Sequence, residues 1–311
     1  MDPVTPLFLK CAAHRCRGEG PVPSPFGDQD TWLARGKTSC ALINQFPVTP
    51  GHALVVPYDT SVTRFQNLAQ DELREHIRLA RLLKGEFNRH FRPDGYNIGW
   101  NAGPGGGQSV EHAHMHIMPR YDAINQKHNI EPRGGIARMP FPELPYFWRR
   151  AGVVSDDAAL ISQFHLPCYS ENEGAISFRF LSDRAVGFGH TMILTKTRGD
   201  FFTASEDAIL AQAELAQRLI HGLNRDARPP DGYNIGWDIG KAAGQLGTRC
   251  ALQVLPRYRG DIEPARGGIV RIIPERAWPV KTNYCDPANE GKDVPVVQKI
   301  RFPFERQLTL T

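Results

Sequence analysis

A seven-residue sequence that occurs twice in this chain of 311 residues constrains its fold more than any other feature. Residues 94–100 read Asp-Gly-Tyr-Asn-Ile-Gly-Trp, and residues 231–237 read the same. Downstream of each copy, at equal distances, come a Gly-Gln pair at 107–108 and 244–245 and a Pro-Arg-Tyr triplet at 119–121 and 256–258. A long identity in the same position of two similar segments indicates a tandem duplication.

Each copy has the same predicted order of secondary structure. In the first copy, two apolar runs between residues 40 and 57 flank a Pro-Gly turn, which predicts a hairpin. Apolar residues at helical spacing follow between Gln70 and Phe87, and a strand is predicted over 96–100. The second copy repeats this order, with a helix predicted over 204–223.

We therefore predict an α+β fold made of two units, each an antiparallel sheet with a helix. The first unit is placed at residues 1–150 and the second at residues 151–311. The join is expected in the proline-rich, aromatic stretch Met139–Ala151.

Composition excludes several classes of protein. Hydrophobic residues make up 41% and charged residues 23% of the chain, as in soluble globular proteins. No apolar run approaches the roughly 18 residues of a membrane helix, and the start lacks the pattern of a signal peptide. The net charge of +4 comes without a lysine or arginine run typical of nucleic-acid binding. We predict a cytoplasmic protein whose partner is a small anionic molecule.

The six cysteines are thinly spread, which predicts reduced thiols. Cys11 and Cys16 flank His14, but their spacing is not a common zinc-ligand spacing, and a loosely ordered N-terminus is the preferred interpretation.

Three histidines at alternate positions follow a glycine-rich run at 103–107. In a strand, His112, His114 and His116 would share one face, and the intervening apolar residues would be buried on the other. The second copy has Arg249, Ala251 and Gln253 at these positions, so only the first copy can carry out imidazole chemistry.

Two functions, besides simple burial, can account for such a set. Three imidazoles can bind zinc and leave a position open for water. Alternatively, one imidazole is a nucleophile whose neighbours fix its tautomer. Backbone N–H groups of a glycine-rich loop can bind phosphate, with Gln108 and Ser109 as further donors. Because Glu111 should point to the opposite face, zinc would lack a local carboxylate partner. The pattern favours a histidine that attacks phosphorus.

The run from His112 to Met118, His-Ala-His-Met-His-Ile-Met, resembles the signature of the histidine triad superfamily, and 107–110 resembles its usual lead-in. The segment Ala41–Leu68 resembles the fragile histidine triad branch, whose members hydrolyse dinucleoside polyphosphates. The resemblance implies that His114 attacks the α-phosphorus of a nucleotide and forms a nucleotidyl-histidine. It also implies that His112 orients His114 and that His116 contacts the phosphate.

The same resemblance implies a substrate-binding set around the triad. Its members would contact phosphate oxygens, the leaving group or the ribose: Asn101, Gly107, Gln108 and Ser109 at the phosphates, His52 near the α-phosphate and Asn44 at the ribose. The stretch Met139–Arg150 and the tail after Trp278 are the predicted regions of further substrate contact. Arg249, Arg257 and Lys241 could reach phosphates from the second copy, but Arg257 matches Arg120, which favours a shared scaffold role.

Small members of the superfamily are usually homodimers, so the resemblance implies an intrachain pseudo-dimer with one live and one degenerate site. The layout also resembles that of diadenosine tetraphosphate phosphorylases, whose third motif histidine is a glutamine, whereas His116 is retained here. Three functions stay open: a hydrolase or nucleotidyltransferase, a phosphorylase or biosynthetic transferase with an acceptor other than water, and a nucleotide-binding protein that has lost catalysis.

No tightly bound cofactor is expected, and a divalent cation such as Mg²⁺ would arrive with the nucleotide. The residues at 57–60 lack the paired cysteines of zinc-binding relatives, so no metal site is predicted.

Overall fold

A computed structural model describes residues 26, 32–44, 47–127, 168–180, 188–245, 247–261 and 308–309. The predictions that concern Cys11, Cys16, the join at 139–151 and the tail after Trp278 lie outside these residues.

The described residues contain eleven strands that form a single sheet. Their bounds are β1 Trp32–Arg35, β2 Ser39–Ile43, β3 Ala53–Pro57, β4 Gly95–Ala102, β5 Met115–Arg120, β6 Cys168–Glu171, β7 Ala175–Arg179, β8 Thr191–Thr195, β9 Gly232–Ile239, β10 Ala251–Arg257 and β11 Leu308–Thr309. The order across the sheet is β11-β1-β2-β3-β5-β4-β9-β10-β8-β7-β6. All pairs are antiparallel except β1 with β11. The predicted antiparallel α+β architecture is confirmed.

Strands β4 and β9, which carry the duplicated sequence, pair with each other in the middle of this sheet. Gly99 lies opposite Gly236, and the flanking pairs are Asn97 with Asp238 and Asn101 with Asn234. A Cβ atom on Gly99 would lie 2.7 Å from the Cα of Gly236 and would overlap the backbone oxygen of Ile235. Glycine is therefore required where the two backbones approach each other.

Two long helices cover one face of the sheet. The α-helices among the described residues are α1 Gln70–His90, α2 Asp122–Lys127 and α3 Glu206–Leu223, with short 3₁₀ turns at Phe65–Asn67 and Lys241–Ala243. Helices α1 and α3 contact each other, and their apolar sides join Tyr96, Ile98 and Trp100 of β4 in one core. Because side chains alternate along a strand, Asn97, Gly99 and Asn101 face away from the helices. None of the described helices is long and apolar enough to cross a membrane.

The helix ends follow from local hydrogen bonds. The carboxylate of Glu72 accepts the N–H of Ala69 at 2.8 Å at the start of α1. Ser205 Oγ accepts the N–H of Ala208 at 3.2 Å, so Ser205 is an N-cap and α3 begins at Glu206. The predicted helix from residue 204 was therefore placed two residues too early.

The predicted hairpin at 40–57 is confirmed by the pairing of β2 with β3. The histidine strand is shorter than predicted, because β5 begins at Met115 and both His112 and His114 precede it. The N–H of Ala113 donates to the oxygen of Val62, a loop carbonyl, at 2.9 Å. The first two histidines are therefore held by a loop and only His116 by the sheet.

The contact at Gly99 predicts a large effect of a single methyl group. We expect Gly99→Ala to lower the free energy of unfolding by at least about 3 kcal/mol, because the methyl group forces apart two backbones that are already packed. Gly85→Ala in α1 is the matched control. A Cβ there meets nothing within 4 Å, and the exchange should stabilise the helix by about 0.5–1 kcal/mol. Denaturant unfolding of both variants measures this, and similar stabilities would contradict it.

Candidate active site

The three triad histidines lie together, on the sheet face opposite the helices. The rings of His114 and His116 meet edge to face with centroids 4.9 Å apart. The ring of Phe26 lies 5.6 Å from that of His112 and 5.5 Å from that of His114. All three histidines are buried, with 5–6% of their surface exposed. The predicted common face is therefore present although the strand is short.

The tautomer of His114 follows from one hydrogen bond. Its Nδ1 lies 2.8 Å from the backbone oxygen of His112. Because a carbonyl oxygen only accepts, Nδ1 must carry the hydrogen, which leaves a lone pair on Nε2 of the neutral ring. Burial lowers the pKa of His114, against a smaller opposing effect of the bond to His112. His114 thus has a neutral ring with Nε2 as its basic atom.

A chain of hydrogen bonds sets the tautomer of His116. The N–H of Val48 donates to His52 Nδ1 at 3.3 Å, so the hydrogen of His52 is on Nε2. That atom lies 3.0 Å from His116 Nδ1, which must accept, and the hydrogen of His116 is then on its own Nε2. His116 Nε2 is buried and has no hydrogen-bond partner among the described residues. It is a donor to whatever enters the site.

Burial keeps the imidazole rings of His52 and His116 neutral. The pKa of His52 is lowered to about 3, mainly by burial and further by His114. Burial also lowers the pKa of His116 well below its ordinary value, with smaller effects of His114 and His52. Asn44, predicted at the ribose, lies against His52, with its Nδ2 3.3 Å from Nδ1 and 3.1 Å from Nε2 of that ring.

His112 is tied to the end of β3. Burial lowers its pKa, and hydrogen bonds to the backbone of Pro57 and Asp59 oppose this effect. Its backbone oxygen accepts the hydrogen bond from His114 Nδ1, and the orienting role that the resemblance implies stays a prediction.

The amide groups of the glycine-rich loop, which are predicted to bind phosphate, have hydrogen-bond partners within the protein. They are used within the loop or by the second half: the N–H of Gly106 bonds to Gly103, those of Gly107 and Gln108 to Pro104 and Gly103, and that of Gly105 to Asp231. The contact of the Gly107 amide with phosphate stays a prediction, and this amide donates to the oxygen of Pro104 at 3.0 Å. The glycines also allow close packing, since a Cβ on Gly105 would lie 2.8 Å from the Cβ of Asp231.

The side chain of Gln108, which is predicted to contact phosphate, has hydrogen-bond partners within the protein. Its Oε1 accepts the N–H of Gly103 at 2.8 Å, and its Nε2 donates to the oxygens of Thr63 at 2.6 Å and Val110 at 2.8 Å. Gln245 accepts the N–H of Gly240 at 2.7 Å and closes its loop in the same way. The presence of this glutamine in a copy without histidines was the sequence signal for a structural role.

Of the remaining predicted residues, Ser109 is exposed at the end of the loop, and Asn101 is buried on the histidine face. Asn101 Oδ1 accepts a hydrogen bond from Asn234 Nδ2 at 2.9 Å. The described residues contain no group of three histidine, cysteine or acidic side chains arranged to hold a metal ion.

The corresponding place in the second half is filled by its own side chains. His190 Nε2 lies 2.8 Å from Gln253 Oε1, and Gln253 Nε2 donates to Asp238 at 3.3 Å. The ring of Phe180 stacks on His190 at a centroid distance of 4.1 Å. This side has no imidazole at the position of His114.

Sequence reasoning missed another buried histidine, His76, on the helix face. Its ring stacks on Trp100 at 6.1 Å, and neither ring nitrogen has a hydrogen-bond partner among the described residues. Gln212 occupies the corresponding place in the second half and accepts the N–H of Trp237 at 3.0 Å. Burial lowers the pKa of His76 from 6.5 to about 3, with a smaller effect of His112.

His76 should make the fold sensitive to acid. Below pH 6.5 the unfolded chain binds a proton at this residue that the folded chain excludes, so stability falls as the pH falls. We expect His76→Gln to reduce the loss of unfolding free energy between about pH 7 and pH 5 by about 2 kcal/mol. His221→Gln, an exposed histidine on α3, is the control. Denaturant unfolding at both pH values measures the difference, and parallel curves for wild type and His76→Gln would refute it.

Comparisons with known proteins agree with this geometry. The family model described as HIT domain matches residues 28–123. A bis(5'-adenosyl)-triphosphatase of Saccharomyces cerevisiae is 35% identical over 91 residues, 29% of this chain and 44% of that protein. An AP-4-A phosphorylase of Mycobacterium tuberculosis is 34% identical over 101 residues, 32% of this chain and 51% of that protein. The chain therefore spans about half the length of the curated relatives it matches.

Two solved structures share the fold over most of the chain. An ADP-glucose phosphorylase from Arabidopsis thaliana has a TM-score of 0.54 at 12% identity and covers 85% of this chain and 93% of its own. A uridylyltransferase mutant has a TM-score of 0.54 at 14% identity, with coverage of 78% and 82%. At such identities the likeness concerns the fold alone. The sequence match shows that residues 28–123, which contain the three clustered imidazoles, are similar to the HIT domain family.

Proposed function

We propose that this protein is a nucleotide hydrolase or nucleotidyltransferase that acts on the α-phosphate of a dinucleoside polyphosphate or a related nucleotide. The observation that carries the proposal is the bond between His114 Nδ1 and the oxygen of His112, because it leaves a buried, neutral imidazole with a lone pair on Nε2. The relatives named as a triphosphatase and a phosphorylase of adenosine dinucleotides support this class of substrate.

In the first step, the lone pair of His114 Nε2 forms a bond to the α-phosphorus, and the bond from that phosphorus to the bridging oxygen breaks. The leaving group departs as a nucleoside polyphosphate. The hydrogen on His116 Nε2 is available to the phosphate oxygens, and preorganised donors of this kind stabilise the transition state. His112 orients the nucleophile, and His52 orients His116.

In the second step, an acceptor attacks the same phosphorus, the phosphorus–nitrogen bond breaks, and His114 recovers its lone pair. Water as the acceptor releases a mononucleotide and a proton. Inorganic phosphate as the acceptor releases a nucleoside diphosphate, an alternative supported by the similarity to the AP-4-A phosphorylase. Products formed from diadenosine triphosphate with and without phosphate distinguish the two, since only hydrolysis yields AMP.

We also propose that residues 1–150 and 151–311 form two units of an intrachain pseudo-dimer, with the live site in the first. The symmetrical strand order on the two sides of β4 and β9 supports this arrangement. The pairing of Phe180 with His190 and of His190 with Gln253 supports a second site without catalysis. No resident cofactor is part of the proposal, and a divalent cation such as Mg²⁺ would accompany the nucleotide.

Replacement of the nucleophile tests the proposed function. We expect His114→Ala to lower turnover of diadenosine triphosphate by about 10⁴-fold or more, because no other group at the site can form the covalent intermediate. Product formation by chromatography measures the loss, and acid-quenched wild-type enzyme should carry a nucleotide on His114. His221→Ala should keep wild-type turnover. Unchanged turnover in His114→Ala would sink the proposal, and tight nucleotide binding without turnover in the wild type would favour a binding protein.

The pH dependence of the reaction follows from the same residue. Since burial lowers the pKa of His114 below 6.5, the ring stays neutral at pH 6.5. We expect the acid limb of kcat/KM to lie below pH 6.5 and the rate to fall as His114 becomes protonated. A pH–rate profile with a phosphoramidate and with a dinucleotide substrate measures the limb. A half-maximal rate above pH 6.5 with both substrates would be inconsistent with a buried neutral nucleophile.

A further inference from the structure

Two buried side chains of the second half reach the histidine face of the first. Asn234 lies on β9 and Arg257 at the end of β10, with 1% and 3% of their surfaces exposed. Arg257 Nη1 donates to Asn234 Oδ1 at 2.9 Å. Asn234 Nδ2 in turn donates to Asn101 Oδ1 at 2.9 Å and to the oxygen of Gly106 at 2.8 Å.

The direction of these bonds is fixed by chemistry. A guanidinium group only donates, so it selects the oxygen of Asn234 as its acceptor. The oxygen of Gly106 only accepts, so it selects the nitrogen. With Asn234 oriented from both ends, Asn101 must turn its oxygen toward Asn234. The donor end, Nδ2, is then the end of Asn101 that Asn234 does not use.

Asn101 is placed to bring that donor to the triad. In the pairing of β4 with β5, Gly99 lies opposite His116 and Trp100 opposite Met115. Asn101 follows Gly99 by two residues along β4, so strand alternation puts its side chain on the same face as His116.

The corresponding chain of hydrogen bonds in the other half of the sheet ends in a different residue. Arg120 Nη1 donates to Asn97 Oδ1 at 2.9 Å, and Asn97 Nδ2 donates to Asp238 Oδ1 at 2.6 Å and to the oxygen of Ala243 at 2.9 Å. Asp238 takes the place of Asn101, and its carboxylate only accepts and is negatively charged when ionised. The same Arg–Asn scaffold therefore ends in a donor on the triad side and in an acceptor on the other.

We propose that Asn234 and Arg257 of the second half are positioning residues for the site in the first half. They turn the Asn101 amide so that its nitrogen donates to a phosphate oxygen of the nucleotide attacked by His114. The second half thus completes the live site, and the carboxylate of Asp238 makes the mirror-related place unsuited to a phosphate. This inference rests on the proposed function.

The isosteric variant Asn234→Asp tests the proposal, since a carboxylate cannot donate to Asn101 or Gly106. We expect kcat for diadenosine triphosphate to fall about 10- to 100-fold, in the range typical for the loss of one oriented donor or its support. Asp238→Asn, a matched exchange in the corresponding hydrogen-bond chain of the other half, should keep wild-type kcat. An Asn234→Asp enzyme with wild-type kcat and KM would overturn the proposal.

A double-mutant cycle separates positioning from a general loss of stability. If Asn234 acts through Asn101, the exchange Asn234→Asp should change kcat less than about twofold in an Asn101→Ala background, because residues of one network are not additive. Full additivity would overturn the proposal. Should Asn234→Asp fail to fold, Arg257→Met removes the donor that orients Asn234 and should lower kcat in the same direction.

Failure of the proposed function can be told apart from failure of this inference. A wild-type protein that turns over no dinucleotide contradicts the proposed function, and the inference is then decided by calorimetric affinity for AMP. Weaker AMP binding by Asn234→Asp than by Asp238→Asn supports the positioning role. Equal affinities of the two variants and the wild type overturn it.

Discussion

The close approach of β4 and β9 is the constraint on which the rest of the structure depends. Gly99 and Gly236 bring the two backbones together in the middle of the sheet. The residues that flank these glycines along β4 and β9 then alternate, with aromatic and aliphatic side chains under the helices and polar side chains on the histidine face. The pairing thereby creates both a core shared by the two halves and a row of buried amides. Those amides need partners, since an unsatisfied buried polar group costs about 1–3 kcal/mol.

Groups that can only donate or only accept a hydrogen bond fix the orientation of the side chains on the histidine face. The N–H of Val48 sets His52, which sets His116. The oxygen of His112 sets His114. The guanidinium of Arg257 sets Asn234, which sets Asn101. In each case a backbone group or an arginine with one possible role fixes a side chain that has two. The triad therefore needs no mobile part to present a lone pair on one ring and a hydrogen on the next.

Sequence reasoning reached the architecture because the duplicated segment is both long and placed within a repeated order of elements. It also found the histidine face, since alternation is a local property of extended chain. It did not predict that the glycine-rich loop packs closely against residues 231–233. The role of Gln108 and the amides of 105–108 depends on contacts far away in the chain, which a single sequence does not show.

The roles of Asn101 and Asp238, which end the two Arg–Asn hydrogen-bond chains, could not be predicted from the sequence for the same reason. Arg257 was expected to share a scaffold role with Arg120, and both do bond to an asparagine of the repeat. What differs is the third residue, Asn101 or Asp238, which belongs to the opposite half of the sheet. Its identity is visible in the sequence, but its partner is known only once the strands are paired. The buried His76 was missed because a helical periodicity does not distinguish a histidine in the core from one near its rim.

The pairing of Asn101 with Asn234 and of Asn97 with Asp238 has a consequence for how the halves could have diverged. Each half supplies the Arg–Asn part of one chain and the terminal residue of the other. A change at a terminal position therefore alters one site and leaves the scaffold that serves its neighbour intact. In the proposed pseudo-dimer, this arrangement allows one site to change without altering the Arg–Asn pair that serves the other, whereas a change in identical subunits encoded by one gene would affect both sites.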